Sequence, residues 1–102
     1  MLDYNYQNDK GQITIRFKGD LTINDVSEIK EVFNKAIAES EYIIVNHDEC
    51  ELFDLSYIQV LIAAYRTSKE WSKNFKVMNK ENDNFKQLLK DTGFVLEDIF
   101  IN

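Results

Sequence analysis

Two residues near the middle of the chain, Asp54 and Ser56, have types and a spacing that could support regulatory chemistry. Apolar residues recur every three or four positions along 55–66, which predicts a helix with Asp54 as its N-cap. Ser56 would then take the second helical position, where free backbone N–H groups and the positive end of the helix dipole favour a phosphate. A phosphoryl group there would add a charge of about -1.5 to -2 and repel a partner that fits the neutral hydroxyl. The alternative is a capping hydroxyl without a regulatory role.

The segment 46–51 gathers His47, Cys50 and three acidic residues, and we predict a polar loop there. A structural zinc site usually needs paired ligands, and one His with one Cys lacks the second pair, so we expect no metal. Cys50 is expected to be a small buried residue beneath the helix start. A hydrolase built on this loop is the weaker alternative, because nucleophile–base geometry cannot be inferred from this spacing. No G-x-S-x-G, P-loop or G-x-G-x-x-G motif is present, so we predict no cofactor and no enzymatic activity.

Tyr57, directly after Ser56, has two interpretations that the sequence leaves equally open. An exposed tyrosine near a helix start could anchor a protein interface. The same side chain could instead pack against the preceding segment. The choice decides whether Tyr57 contacts a partner or supports the helix start from beneath.

Length and charge limit the classes of protein to which the chain could belong. With 102 residues it fits a single domain, 1–102. The net charge of -6, with scattered rather than clustered Lys and Arg, disfavours nucleic acid and anionic membrane surfaces as partners. No apolar run is long enough to span a membrane, and the N-terminus lacks the features of a signal peptide. We therefore expect a cytoplasmic protein, and the negative charge permits a basic protein partner.

The elements that must position Asp54 and Ser56 alternate between strands and helices. This pattern predicts an α/β fold with a mixed sheet of four to five strands, in the order β-β-α-β-α-β-α-(β). The predicted elements are a hairpin of strands 2–7 and 12–18 around Gly11, a helix from Ile23 to about Ser40, a strand 42–45, the helix from Asp54, a strand 75–78, a helix from Phe85 to Gly93, and an apolar tail 94–101 with a short last strand.

The pattern resembles a STAS domain, the family of bacterial anti-sigma factor antagonists and related regulatory modules, and the match covers nearly the whole chain. The resemblance begins with the strand end 17–21 and the helix 23–37 that follows it. It continues with the strand 43–46, whose spacing to Asp54 is ungapped against the family pattern. The helix core at Leu61, Ala63 and Ala64, the strand 75–77 and the closing helix through Thr92, Gly93 and Phe94 complete it. In the family the helix start usually reads Asp-Ser-Ser-Gly, and a partner kinase phosphorylates the second Ser. Here Asp54 and Ser56 match, whereas Leu55 and Tyr57 depart from the pattern.

This resemblance implies a non-catalytic, protein-binding regulator that a serine kinase of the anti-sigma type phosphorylates on Ser56. Phosphorylation would weaken docking of the surface formed by Asp20, Leu21, Thr22, Asp54, Ser56 and Tyr57. The alternative that the resemblance also implies is an accessory subunit of a lipid-transport ABC system, or a chemotaxis-associated module, acting without phosphorylation.

Overall fold

The computed structural model describes residues 2–78, 82–93 and 99–101. Its α/β architecture and its order of elements confirm the prediction. A 3-10 turn, Ile23–Asp25, precedes the first helix. The elements are β1 (Asp3–Asp9), β2 (Gln12–Leu21), α1 (Val26–Glu39), β3 (Tyr42–Phe53), α2 (Leu55–Glu70), β4 (Asn74–Met78), α3 (Asp83–Thr92) and β5 (Phe100–Ile101).

One mixed sheet contains the five strands of the described residues, in the order in which they occur along the chain. β1 and β2 are antiparallel and form the predicted hairpin, whose turn places Lys10 at φ 51° and Gly11 at φ 87°. Positive φ at two consecutive turn residues suits the right-handed twist of a hairpin. The other neighbours are parallel pairs joined by helical crossovers.

The core lies on one face of the sheet. Along β2 the predicted residues Ile13, Ile15 and Phe17 are buried, and their neighbours Arg16 and Lys18 are exposed. This alternation follows from the two-residue period of a strand. The buried residues of β3, β4, α1 and α2 complete a single cluster, which includes Ile43, Val45, Phe75, Val77, Ile29, Phe33, Ile58 and Leu61.

The structure corrects the predicted loop 46–51, which belongs to β3. This strand continues to Phe53 beside β2, which itself continues beyond Lys18 to Leu21. Two register shifts in the pairing accommodate the extension. His47 and Cys50 point into the core while Glu49 and Glu51 are exposed. The segment therefore has the composition of a loop and the backbone of a strand.

The ends of the third helix agree with the sequence. Asn82 caps α3, its side-chain oxygen accepting from the backbone N–H of Phe85 at 3.0 Å. Gly93 ends the helix at φ 76°, a left-handed conformation that glycine adopts without strain. The loop that the sequence predicts over 79–84 lies partly outside the described residues, which omit 79–81, and its last residues 83 and 84 belong to α3. The predicted tail residues 94–98 also lie outside the described residues, whereas the predicted last strand is confirmed as β5, paired with β4.

Candidate functional site

Asp54 is the N-cap of α2, as predicted, and its carboxylate also reaches a second element. Its Oδ1 accepts from the backbone N–H of Ser56 at 3.1 Å. Its Oδ2 accepts from the backbone N–H of Ile23 at 2.7 Å. The backbone N–H of Asp54 donates to the carbonyl of Leu21 at 3.3 Å. One side chain therefore holds the start of α2 against the 3-10 turn that leads into α1.

Ser56 lies at the second position of α2, as predicted, and is half-buried. Its hydroxyl donates to Oδ1 of Asp54. The residue also lines a groove of about 240 Å³ between α1 and α2, together with Val26, Lys30, Asn34 and Gln59. The site is therefore built around a serine at a groove that a partner could enter, beside the positive end of a helix dipole.

The structure excludes one of the two interpretations of Tyr57. Its side chain is fully buried, so it cannot be an exposed interface anchor. Its hydroxyl lies 2.8 Å from Nδ1 of His47, and its ring packs against Phe53 at 5.7 Å between centroids. Burial raises the pKa of Tyr57 well above its usual range, so the phenol stays protonated and neutral. Tyr57 packs against the preceding segment and supports the helix start from beneath.

Leu21 is also fully buried, so its side chain does not belong to the surface that the sequence predicts. The turn around it brings polar neighbours outward, with Asp20 exposed and Thr22 half-buried. Of the six residues predicted to contact a partner, four reach the surface with their side chains: Asp20, Thr22, Asp54 and Ser56.

The group of His47 and Cys50 is part of the core. Cys50 is buried, as predicted, and burial, followed by the charges of Asp20 and Glu49, raises its pKa to about 12. A thiol with so high a pKa is a weak nucleophile at neutral pH. Within residues 2–78, 82–93 and 99–101, no three His, Cys, Asp or Glu side chains are grouped so that they could hold a metal ion.

Known proteins resemble the chain in structure rather than in sequence. No family model and no curated protein matches it. The unphosphorylated anti-sigma factor antagonist SpoIIAA is 17% identical, with 97% of this chain and 86% of that chain covered and a TM-score of 0.79. SpoIIAA of Bacillus in its phosphorylated form is 17% identical, with 97% and 89% covered and a TM-score of 0.75. An anti-sigma-factor antagonist (STAS) domain protein from Planctomyces limnophilus is 16% identical, with 98% and 87% covered and a TM-score of 0.73.

The protein has a STAS-like fold. The match extends over nearly the whole chain and includes the hairpin as well as the crossovers. At 17% and 16% identity the likeness establishes the fold alone.

Three exposed apolar side chains outside the predicted docking surface lie around the Asp54–Ser56 site. Ile23 is 70% exposed, Leu52 54% and Leu55 44%. Ile23 is held beside Asp54 by the hydrogen bond of its backbone N–H. In the chain Leu55 follows Asp54 directly, and Leu52 lies two residues before it. Helical spacing groups Ile23 and Leu55 with the apolar residues of their helices and predicts that both are buried. In the STAS-like fold both lie at helix starts, where the backbone turns their side chains towards solvent.

Proposed function

We propose that the protein is a non-catalytic regulatory module that binds a partner protein through the start of α2. In this proposal a partner serine kinase phosphorylates Ser56, and the phosphoryl group weakens the binding. The observation that carries the proposal is the position of Ser56, a serine at the second position of α2 that is half-buried beside its N-cap and lines a groove. The similarity to SpoIIAA, which has been solved in unphosphorylated and phosphorylated forms, supports it.

The surface around Ser56 combines the properties of a protein interface. Ile23, Leu52 and Leu55 offer exposed apolar area, and Asp20 adds negative charge beside them. Apolar area gives binding energy, and the net charge of -6 favours a partner with basic groups. A dianionic phosphate at the edge of such a patch would add charge and volume at a position where the partner is complementary to a neutral hydroxyl, and binding would be weaker.

The departures from the Asp-Ser-Ser-Gly pattern bear on this proposal in opposite ways. Tyr57 stands in place of glycine, and because its side chain is buried it places no bulk over Ser56. Leu55 stands in place of the first serine and is 44% exposed. An apolar residue there favours a second candidate function, a constitutively bound subunit of a lipid-transport ABC system or a chemotaxis-associated module.

Co-purification from the native cells separates the two candidates. An ABC-type ATPase retained by the tagged protein would favour the constitutive subunit, and an ATPase of the histidine-kinase-like type would favour the phosphorylation switch. A cytoplasmic location is part of both proposals. No helix in the described part of the chain is long and apolar enough to span a membrane.

The phosphorylation step is tested by incubating the protein with ATP and the serine kinase of the anti-sigma type from the same genome, followed by intact mass. We expect a gain of one phosphoryl group on the wild type and on Ser27→Ala, and none on Ser56→Ala. Ser27 is the matched control because it takes the second position of α1, as Ser56 does in α2, and is exposed. No gain on the wild type, or an equal gain on Ser56→Ala, would contradict the proposal.

A further inference from the structure

The carboxylate of Asp54 accepts hydrogen bonds from two separate segments, the 3-10 turn at Ile23 and the start of α2 at Ser56. Among the described residues, no other side chain bridges these two segments by hydrogen bonds. Oδ2 holds the backbone N–H of Ile23 at 2.7 Å, and Oδ1 holds Ser56 through its backbone N–H at 3.1 Å and its hydroxyl. Hydrogen bonds to an ionised acceptor are stronger than bonds between neutral groups. The 3-10 turn Ile23–Asp25 is thereby tied to the start of α2.

Phosphorylation of Ser56 would change both sides of this tie. The kinase forms a bond between Oγ of Ser56 and the γ-phosphorus of ATP, ADP leaves with the bridging oxygen, and the hydroxyl proton is released. Oγ can then no longer donate to Asp54, and a charge of about -1.5 to -2 stands two residues from a carboxylate. The phosphate oxygens can also accept the backbone N–H groups at the helix start, which is the role that Asp54 has in the unmodified protein.

Because the two oxygens of Asp54 belong to one rigid planar group, moving Oδ1 away from the phosphate also moves Oδ2. A shift of the carboxylate away from the phosphate would therefore break the bond to Ile23 together with the bonds to Ser56. The backbone at Asp54 has a separate anchor, its N–H to the carbonyl of Leu21 at 3.3 Å. This anchor would confine the rearrangement to the carboxylate and the 3-10 turn.

We propose that phosphorylation of Ser56 releases the 3-10 turn Ile23–Asp25 from Asp54. Ile23, whose side chain is 70% exposed beside the site, then leaves its fixed position on the docking surface. The switch changes the shape of the apolar patch as well as its charge. This inference rests on the proposed function in one respect, that Ser56 is the residue modified.

The test is amide hydrogen exchange of Ile23 by NMR, on protein that carries phosphoserine at position 56 installed by genetic-code expansion. Relative to the unmodified protein we expect exchange of the Ile23 amide to rise about tenfold or more, since a hydrogen bond to a charged acceptor is lost. A rise below about fivefold would overturn the inference, as would an equal rise at the core amide of Val45, which would show general loosening instead of local release.

Two variants separate charge repulsion from simple loss of the hydroxyl. Ser56→Ala removes the donor without adding charge, so exchange of the Ile23 amide should stay within about twofold of wild type. Phosphoserine in an Asp54→Asn background places the phosphate beside a neutral amide that holds only one of Ser56 and Ile23, so relative to unmodified Asp54→Asn the phosphate-dependent rise should fall below about twofold. A full rise in either variant would overturn the inference. Because the phosphoserine is installed without a kinase, these outcomes are independent of whether the kinase recognises the protein.

Discussion

Replacing Asp54 by alanine should destabilise the protein more than the loss of an ordinary helix cap would. The carboxylate accepts from the Ser56 backbone N–H at 3.1 Å and from the Ile23 backbone N–H at 2.7 Å. Loss of an N-cap costs about 1 kcal/mol, within a range of 0.5 to 2. Loss of a hydrogen bond to a charged group costs about 1.5 to 3 kcal/mol. Since Asp54 is only half-buried, we expect Asp54→Ala to lower the free energy of unfolding by about 2 to 4 kcal/mol.

Asp54→Asn divides this loss into its two parts. Asparagine is as good an N-cap as aspartate but has one side-chain oxygen, so it can accept from Ser56 or Ile23 in the present geometry, not from both. We expect it to lower the free energy of unfolding by about half as much as alanine does. The difference between the two variants reports the tie between the 3-10 turn and α2.

Urea unfolding at equilibrium gives both values. For a protein of this size a loss of 3 kcal/mol moves the midpoint by about 1 to 3 M. Asp25→Ala is the matched control, because Asp25 is the N-cap of α1 but its side chain makes no capping hydrogen bond. Its loss should stay below about 1 kcal/mol, the size of a helix-dipole contribution. A loss in Asp54→Ala below about 1 kcal/mol, or no larger than in Asp25→Ala, would refute the structural role assigned to Asp54.

Three further predictions concern the residues that support the site from beneath. Tyr57→Phe should lower the free energy of unfolding by about 1 to 3 kcal/mol in urea, because Nδ1 of buried His47 loses the hydroxyl at 2.8 Å; an unchanged midpoint would contradict this. Asn82→Ala should lower the free energy of unfolding by about 2 to 4 kcal/mol in the same assay, since Asn82 accepts from the backbone N–H of Phe85 as a helix cap and also donates to the carbonyl of Cys50 at 2.7 Å. A loss as small as that of one helix cap would argue against a contribution from the bond to Cys50. Folding raises the pKa of the Cys50 thiol from 9.0 to about 12, so the unfolded chain releases the thiol proton at lower pH than the folded protein does. The free energy of unfolding should therefore fall as pH rises from 9.0 to about 12. Cys50→Ala should reduce this pH dependence, and an identical pH profile in the variant would exclude the thiol as its cause.

The elements governed by short-range signals were predictable from the sequence. Asp54 as N-cap, Ser56 at the second helical position and Gly93 at the end of α3 all follow from local backbone chemistry, and the structure confirms them. The hairpin around Gly11 is a further case, because its two strands alternate with a clear two-residue period. Such signals need no knowledge of what packs nearby.

The parts that were missed depend on distant partners. The second half of β3 reads as a polar loop because only pairing with β2 shows that His47 and Cys50 face inward. Tyr57 is buried because its ring packs between β3 and α3, where its hydroxyl forms a hydrogen bond with His47. Neither the pairing register nor that space has a local signature, so periodicity alone could not distinguish an anchor from a support.

The central claim is that phosphorylation of Ser56 weakens docking of a protein partner at the start of α2. The most direct measurement is the affinity of the phosphorylating kinase for the unmodified protein and for the form carrying phosphoserine, by isothermal titration calorimetry. We predict binding weaker by about tenfold or more for the phosphorylated form, the equivalent of about 1.4 kcal/mol of lost binding free energy. Equal or tighter binding of the phosphorylated form would contradict the claim.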